Sequence, residues 1–142
     1  MILELITQDK KMFEQEAYEI ILPNTSGQIA VLPGHIPLIT QLTPGVISIR
    51  NKPGEADGNL DHLAVSGGLA EITGKKVRIL SDSADRAEDL NELKIKEAHQ
   101  QALVARRTAR DAVSSADATA ILERSLAQLK ILELKKRRHL TR

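Results

Sequence analysis

The histidines are the side chains best suited to metal binding or to proton transfer near neutral pH, and four are present: His35, His62, His99 and His139. They are distributed over a predicted loop, a predicted strand and two predicted helices. No pair has the i, i+4 spacing of a helical metal site, and cysteine is absent from the chain. The carboxylates do not lie within apolar runs that would raise their pKa for acid–base catalysis. The sequence therefore predicts neither a metal site nor catalysis by this chain alone.

The basic residues that could bind a partner form two groups: a run at Lys135, Lys136, Arg137 and Arg138, and a more diffuse set at Arg106, Arg107 and Arg110. The run has two interpretations. Its cations either complement the negative end of a helix dipole and stay solvated, or they dock on an acidic protein surface. For the diffuse set, a solvated helix face is the favoured interpretation.

The totals limit the class of protein. At 142 residues, the chain can form one ordinary domain or one small domain with an appendage. Its net charge of +1 provides no global field for a polyanionic partner, and with Phe13 and Tyr18 as the only aromatic residues it has little to stack against bases. No apolar run approaches the ~20 residues that a membrane-spanning helix needs. Met1 leads directly into Ile-Leu-Glu-Leu rather than a signal peptide, so we expect any membrane association to pass through a partner, and we expect no nucleic acid.

The first part of the chain predicts an all-β domain, because short β-branched or leucine-rich runs alternate with Gly, Pro, Asn and Asp. The predicted strands are 2–6, 16–22, 28–32, 38–42, 46–50, 62–66, 69–73 and 76–81. Gly67-Gly68 and Thr73-Gly74-Lys75 are predicted to be hairpin turns, and residues 51–61 a mobile surface loop. Period-two alternation in several strands indicates one buried and one solvated face, as in a β-sandwich.

After Ser81 the composition changes, because glycine and proline disappear and residues with high helix propensity take over. We place a sandwich domain at 1–83 and a helical hairpin at 84–142. The D-x-x-E pattern from Asp89 and the S-x-x-D pattern from Ser114 predict the two helix starts.

The two predicted helices should face each other through small and aliphatic residues. The stripe on the first helix consists of Ile95, Ala98, Ala102, Ala105, Ala109 and Ala112. The stripe on the second consists of Ala118, Leu122, Leu126, Leu129 and Leu132. Because each alanine methyl contributes only ~0.8 kcal/mol on burial, we expect a marginally stable hairpin that can exchange one packing for another.

One tight turn lies between two apolar strands in the β half. Pro33 fixes φ near −65° and Gly34 can take the positive φ that a type II turn needs next. His35 and Pro37 follow directly, and no Ser, Cys or paired carboxylate lies near them in sequence. The turn is therefore expected to be a stiff, exposed corner that docks on a partner rather than a catalytic site.

Residues 27–39, together with Leu42-Thr43-Pro44-Gly45-Val46-Ile47 and Val65-Ser66-Gly67-Gly68, resemble the ε subunit of the bacterial F-type ATP synthase. The resemblance covers nearly the whole chain. It implies an N-terminal β-sandwich followed by a C-terminal antiparallel helical hairpin. It also implies a non-catalytic rotor subunit that couples the γ (gamma) subunit to the c-ring for proton-driven ATP synthesis. Such a subunit would be peripheral, at the cytoplasmic face of the bacterial plasma membrane, as part of the complex.

The resemblance also assigns roles to individual residues. The corner, Gln28 with Leu32, Pro33, Gly34 and His35, is expected to contact γ and the c-ring. Many relatives carry Glu where this chain has Gln28, so a neutral hydrogen bond would replace a charged contact. The mobile hairpin is expected to extend along γ and restrain ATP hydrolysis, its two basic groups contacting an acidic loop of the α/β (alpha/beta) catalytic subunits.

Some relatives of the ε subunit bind ATP through an (I/L)-D-x-x-R-A motif on the first helix. The matching stretch here, with Leu90, Asn91, Lys94 and Ile95 at its defining positions, lacks the Asp, the Arg and the Ala. We therefore expect weak or absent ATP binding and no cofactor. From the residues alone, a free-standing ligand-sensing sandwich with a helical signalling hairpin stays open as an alternative.

Overall fold

The computed structural model describes residues 1–8 and 11–140, and only the backbone of Lys11 and Met12. Its strands are β1 (Ile2–Ile6), β2 (Lys11–Glu16), β3 (Glu19–Asn24), β4 (Gly27–Val31), β5 (Leu38–Arg50), β6 (Asp61–Ile72), β7 (Lys76–Leu80) and β8 (Ala84–Arg86). Short 3-10 turns occupy Asp57–Asn59 and Ala87–Asp89, and the helices are α1 (Glu92–Thr108) and α2 (Ala112–Leu140). Within the described part of the chain, no helix has both the length and the apolar composition needed to cross a membrane.

The strands form one hydrogen-bonded ladder folded into two layers. Its order is β2-β1-β7-β6-β5-β3-β4, and β8 pairs with β6. The first part of β5 pairs with the last part of β6 beside β7, whereas the last part of β5 pairs with the first part of β6 beside β3 and β8. Large aliphatic side chains from both layers fill the space between them. The predicted β-sandwich is confirmed.

The prediction of a hairpin turn at Gly67-Gly68 is wrong. Both residues lie inside β6, with φ of +97° and +128°, and the two predicted strands on either side of them are one strand. A Cβ on Gly68 would lie 1.9 Å from the Leu80 carbonyl oxygen, so only glycine fits. Opposite this point, β5 likewise runs unbroken through Pro44 and Gly45. The glycines bend the paired strands from one layer into the other instead of ending them.

Other strand predictions also need correction. The predicted strand 16–22 is interrupted, because the Ala17 and Tyr18 amides donate to the carbonyls of Met1 and Arg50, both at 2.8 Å. Strands β2 and β8 were not predicted. The turn at Thr73-Gly74-Lys75 is confirmed, since it joins β6 to β7.

The segment 51–61 is mainly exposed, as predicted, but it also holds the buried Leu60. Arg50 ties it to the sandwich, because its guanidinium donates to Glu19 at 2.7 Å and to Asp57 at 2.6 Å. Both carboxylates raise the pKa of Arg50. The mobility of this loop stays a prediction.

The helix starts differ from the predicted ones. Asp89 lies in a 3-10 turn, and Asn91 caps α1 by accepting from the Lys94 amide at 3.2 Å. Asp111 rather than Ser114 begins α2, because its carboxylate accepts from the Ser114 amide at 2.7 Å. Hydrogen bonds from Ser114 also lower the pKa of Asp111. A short acceptor side chain at the N-cap bonds the free amide three residues later. Asn91 and Asp111 have this geometry, and they therefore begin the two helices.

The two helices pack together through part of the predicted stripes. Ile95, Ala102, Ala118 and Leu122 are buried, whereas Ala98, Ala105 and Ala112 are exposed and Leu126 is 56% exposed. Ser125 replaces Leu126 in the contact and lies 2.7 Å from His99 Nδ1. The reason is that α2 has two neighbours. It is rotated so that Ala127 and Ile131 face the sandwich, which turns Leu126 to solvent.

Candidate protein-docking surfaces

The predicted turn at Pro33-Gly34 lies at the end of the sandwich, after the edge strand β4. Gly34 has φ +85° and the His35 amide donates to the Leu32 carbonyl at 3.1 Å, as in a type II turn. The Gly34 amide donates to the Gly74 carbonyl at 3.0 Å, which fixes the turn against the β6–β7 connection. Backbone hydrogen bonds therefore hold the corner in the turn that its sequence predicts.

The corner is accessible to a partner. Gln28, Leu32, Pro33 and Gly34 are exposed, and His35 is partly exposed. Sequence reasoning missed two further residues of this surface, Ile36 and Ile39, which are 74% and 72% exposed. The sequence could have predicted the exposure of Ile36, because Pro37 favours an extended conformation for the residue before it, beside the turn. Several exposed aliphatic residues grouped around one rigid turn are typical of a protein-binding surface.

A second apolar surface crosses the outer face of the layer that contains β1, β7 and β6. Leu69 pairs with Leu80, which pairs in turn with Ile6. Leu69 and Leu80 are 48% and 45% exposed. We call Ile6, Leu69 and Leu80 the outer-face row; it was not predicted, although Leu80 follows the buried Ile79 and must point outward.

An ion-pair cluster lies beside the outer-face row. The carboxylate of Glu4, although buried, accepts from Lys76 Nζ at 2.7 Å and from Arg78 Nε at 2.9 Å. Arg78 also contacts Glu71 at 3.2 Å, and the pKa of Arg78 is raised mainly by its hydrogen bond to Glu4. The charged side chains in this part of the face are paired with one another, and the exposed Leu69 and Leu80 lie beside them.

The helical hairpin is docked on the sandwich through a small apolar cluster, separate from the sandwich core. Its buried members are Ala64 on β6 and Ala127 and Ile131 on α2. Val46, Ala87 and Leu90 pack around them and are partly buried. We call Ala64, Ala127 and Ile131 the docking cluster.

Polar contacts surround the docking cluster. Asp85 on β8 accepts from Gln128 Nε2 at 2.8 Å and from Arg124 Nη2 at 3.3 Å. Near the end of α2, Arg138 Nη1 donates to Asp61 Oδ1 at 3.0 Å. These contacts connect the sandwich to α2 by charge and hydrogen bonding rather than by apolar area.

The predicted basic run is partly engaged by acids of its own chain. Besides the Arg138–Asp61 pair, Lys136 Nζ donates to Glu92 Oε2 at 2.8 Å, and Arg137 pairs with Glu133 on the same helix. Lys136 and Lys96 together lower the pKa of Glu92 to about 2. Lys135 lines a cavity between α2 and the sandwich.

The second basic group lies apart from the run. Arg106 and Arg107 are exposed in the last turn of α1, where cations complement the helix dipole, and Arg110 is exposed in the connection to α2. Lys136 instead contacts the first turn of α1, which is roughly 20 Å away at ~1.5 Å per residue. The structure does not bring the two groups together.

The residues at the degenerate ATP-motif positions have structural environments. Leu90 packs on the docking cluster, Asn91 caps α1, Lys94 is exposed and Ile95 is buried between the helices. Among the residues that the structure describes, no group of three or more His, Asp or Glu side chains could hold a metal ion.

Comparisons with known proteins agree with this architecture. Residues 1–87 match the family described as ATP synthase, Delta/Epsilon chain, beta-sandwich domain. The ATP synthase epsilon chain of Chromobacterium violaceum is 39% identical, over 98% of each chain. The chain belongs to the ATP synthase epsilon-chain family. The resemblance stated from the sequence is confirmed.

Two further comparisons extend this result. An ATP synthase epsilon chain 2 of Ralstonia nicotianae is 34% identical, over 95% of this epsilon-family chain and 94% of the relative. A chain in the cryo-EM structure of the Euglena gracilis mitochondrial ATP synthase, which contains OSCP, F1 and the c-ring, has a TM-score of 0.73 at 25% identity. That match covers 90% of this chain and 78% of the other. Fold and family are therefore supported by sequence and by structure.

Proposed function

We propose that this chain is a non-catalytic rotor subunit of an F-type ATP synthase. Its sandwich couples γ to the c-ring for proton-driven ATP synthesis, and its helical hairpin restrains ATP hydrolysis. The observation that carries the proposal is the two-part construction, a rigid sandwich with an exposed corner and a hairpin attached through a separate, small cluster. As a peripheral subunit it would lie at the cytoplasmic face of the bacterial membrane, held there by its partners.

The corner is proposed to contact γ and the c-ring. Its turn presents Leu32 and Ile36 to solvent, and removing such aliphatic groups from water is favourable by ~25 cal/mol per Å² before the costs of association are subtracted. Gln28 on the edge strand would contribute a neutral hydrogen bond. The outer-face row is proposed as a second apolar surface for γ.

The hairpin is proposed to exchange its contacts when it leaves the sandwich and its two helices separate. In the docked conformation Lys136 and Arg138 contact Glu92 and Asp61. Surface ion pairs of this kind contribute only ~0–1 kcal/mol each, so an acidic loop on the α/β subunits could compete for the same cations. Arg106, Arg107 and Arg110, exposed in the docked state, would make the first contacts with that loop.

Truncation tests this division of labour. A chain that ends after Asp89 keeps β8 and the sandwich core but lacks both helices. In the reassembled complex we expect ATP hydrolysis to rise while proton pumping stays coupled. The matched variant is full-length Ile36→Asp, which should fold normally but assemble poorly with γ and the c-ring. Unchanged inhibition after truncation would remove the regulatory half of the proposal.

ATP binding is proposed to be weak or absent, because Asn91 replaces the charged Asp of the motif and Lys94 replaces its Arg. Ile95 stands at the Ala position and is buried. Calorimetric titration of the full chain with ATP should give no micromolar site. A clear micromolar site would contradict this part.

A free-standing ligand sensor is the second candidate, favoured by a cavity of about 150 Å³ between α2 and the sandwich. The two candidates differ in their partners. Affinity purification from detergent-solubilised membranes should recover γ and the c-ring subunit, whereas a sensor would be recovered as a monomer without them.

A further inference from the structure

His62 lies on β6 beneath the end of α2. Its Nδ1 is 2.9 Å from Ser48 Oγ on the neighbouring strand β5. The imidazole lines the cavity between the sandwich and α2, together with Lys135 and Arg138 of that helix. His62 is therefore covered by the hairpin only while the hairpin is docked.

The charged groups around His62 come from every element packed on it. Lys135 and Arg138 belong to α2. Arg86 is the last residue of β8, and Glu88 lies in the 3-10 turn that follows. Asp61 precedes His62 on β6. Asp61 accepts from Arg138 at 3.0 Å, so its negative charge is shared with that guanidinium. The Arg86 guanidinium lies over the Phe13 ring, 4.5 Å from its centroid. A protonated His62 would therefore meet three cations, Arg86, Lys135 and Arg138, against two carboxylates.

The pKa of His62 is shifted in the direction that this geometry predicts. Burial lowers the pKa of His62 below 6.5, Asp61 raises it, and Arg138 lowers it further. Undocking takes away the cover and Arg138 but leaves Asp61 in place. The pKa of His62 must then be higher in the released state than in the docked state.

We propose that His62 makes docking of the helical hairpin proton-sensitive, because a protonated imidazole opposite Arg138 and Lys135 favours release of α2. The inference rests on the proposed mobility of the hairpin. The direction of the pH effect follows from linkage, because the pKa of His62 is lower in the docked state than in the released state. Its contribution to docking is therefore complete above pH 6.5 and is lost as the pH falls. Acidification would then favour the released hairpin and so restrain ATP hydrolysis.

Energy transfer between two dyes on the full-length chain tests the proposal. The sequence has no cysteine, so Lys52→Cys on the sandwich and Leu140→Cys on α2, both exposed, can be labelled selectively. Between pH 7.5 and 5.5 the ratio of docked to released chain should fall by about threefold or more, since each unit of pKa difference changes it up to tenfold.

Two histidine variants separate His62 from other sources of pH dependence. His62→Gln should dock at pH 7.5 and show an almost flat profile, because glutamine can still bond Ser48 but does not titrate. His139→Gln changes an exposed histidine on α2 and should retain the full pH profile. A flat profile in the parent chain, or an unchanged one in His62→Gln, would overturn the proposal.

A reciprocal measurement remains informative if His62→Gln docks poorly. Ile131→Asp should release the hairpin, and the NMR-measured pKa of His62 should then rise relative to the parent chain. An identical pKa in both chains would reject the proposal. Both measurements use the isolated chain, so their failure leaves the truncation effect on ATP hydrolysis standing, and that effect can fail without them.

Discussion

The sandwich core and the docking cluster differ in the size of the side chains that they bury. The sandwich encloses Leu3, Leu5, Ile20 and other large aliphatic residues at 0–1% exposure. The docking cluster buries one large residue, Ile131, and two alanines, and polar pairs complete the contact. Since a fully buried Leu or Ile contributes ~1.5–3 kcal/mol and an alanine methyl far less, the sandwich is built to persist and the hairpin contact to be reversible.

The largest effect is expected from truncating the sandwich core. Ile79→Ala removes a fully buried side chain and should lower the free energy of unfolding by about 2–5 kcal/mol. The adjacent Leu80→Ala is its matched control, because Leu80 faces solvent and should cost well under half as much. Urea unfolding followed by circular dichroism measures both. Equal losses would show that the two faces of β7 do not differ as described.

The corresponding change in the docking cluster should cost no more than the free energy that holds the hairpin on the sandwich. Ile131→Ala also removes a fully buried side chain, but the hairpin can undock, so the loss cannot exceed the free energy of docking. We expect faster proteolysis of α2 while the sandwich keeps its unfolding midpoint. Leu126→Ala, on the exposed side of the same helix, should change neither. A lowered sandwich midpoint in Ile131→Ala would mean that the two clusters act as one core.

The same difference explains which features could be predicted. Alternation such as Val77-Arg78-Ile79 identified the sandwich face, because a strand with one buried side has only one solution. The corner was predictable because Pro33 and Gly34 determine a turn locally. The face of α2 was not, since Leu126 and Ser125 could each have been buried until the second contact, with the sandwich, selected the rotation.

Gly67-Gly68 illustrates the remaining limit of the sequence. A pair of glycines predicts a hairpin turn if only local conformation is considered. Here the positive φ angles serve a bend, and the approach of the Leu80 carbonyl excludes any side chain at Gly68. That requirement comes from β7, which follows β6 in the chain, and no local rule contains it. The Asp85 contacts with α2 were likewise invisible, because β8 itself was not predicted.

The polar part of the docking contact should give an intermediate effect. Asp85→Asn weakens the acceptor for Arg124 but leaves an oxygen for Gln128, so docking should lose roughly 0.5–1 kcal/mol. Glu133→Gln is the control, because its pair with Arg137 lies within α2 and does not cross the interface. Hydrogen exchange of α2 amides measures both. Equal protection in Asp85→Asn and the parent chain would place the docking energy in the apolar cluster alone.

The smallest effect is expected between the helices themselves. Lys136 and Lys96 hold the pKa of Glu92 at about 2, below its usual 4.5, so their contribution is complete above pH 4.5 and is lost as pH falls toward 2. Lys136→Gln should raise this pKa, whereas Lys135→Gln, one residue away and facing the cavity, should not. NMR titration of the Glu92 carboxyl from pH 5 down to about 2 distinguishes the two variants. Because Lys136 and Glu92 are partly exposed, ~0.5 M salt, with a Debye length of only ~4 Å, should reduce the difference in the Glu92 pKa between the variants. A pKa that does not respond to Lys136→Gln would show that the contact between the start of α1 and the end of α2 is not maintained in solution, which would leave the hairpin even more weakly held than its alanines imply.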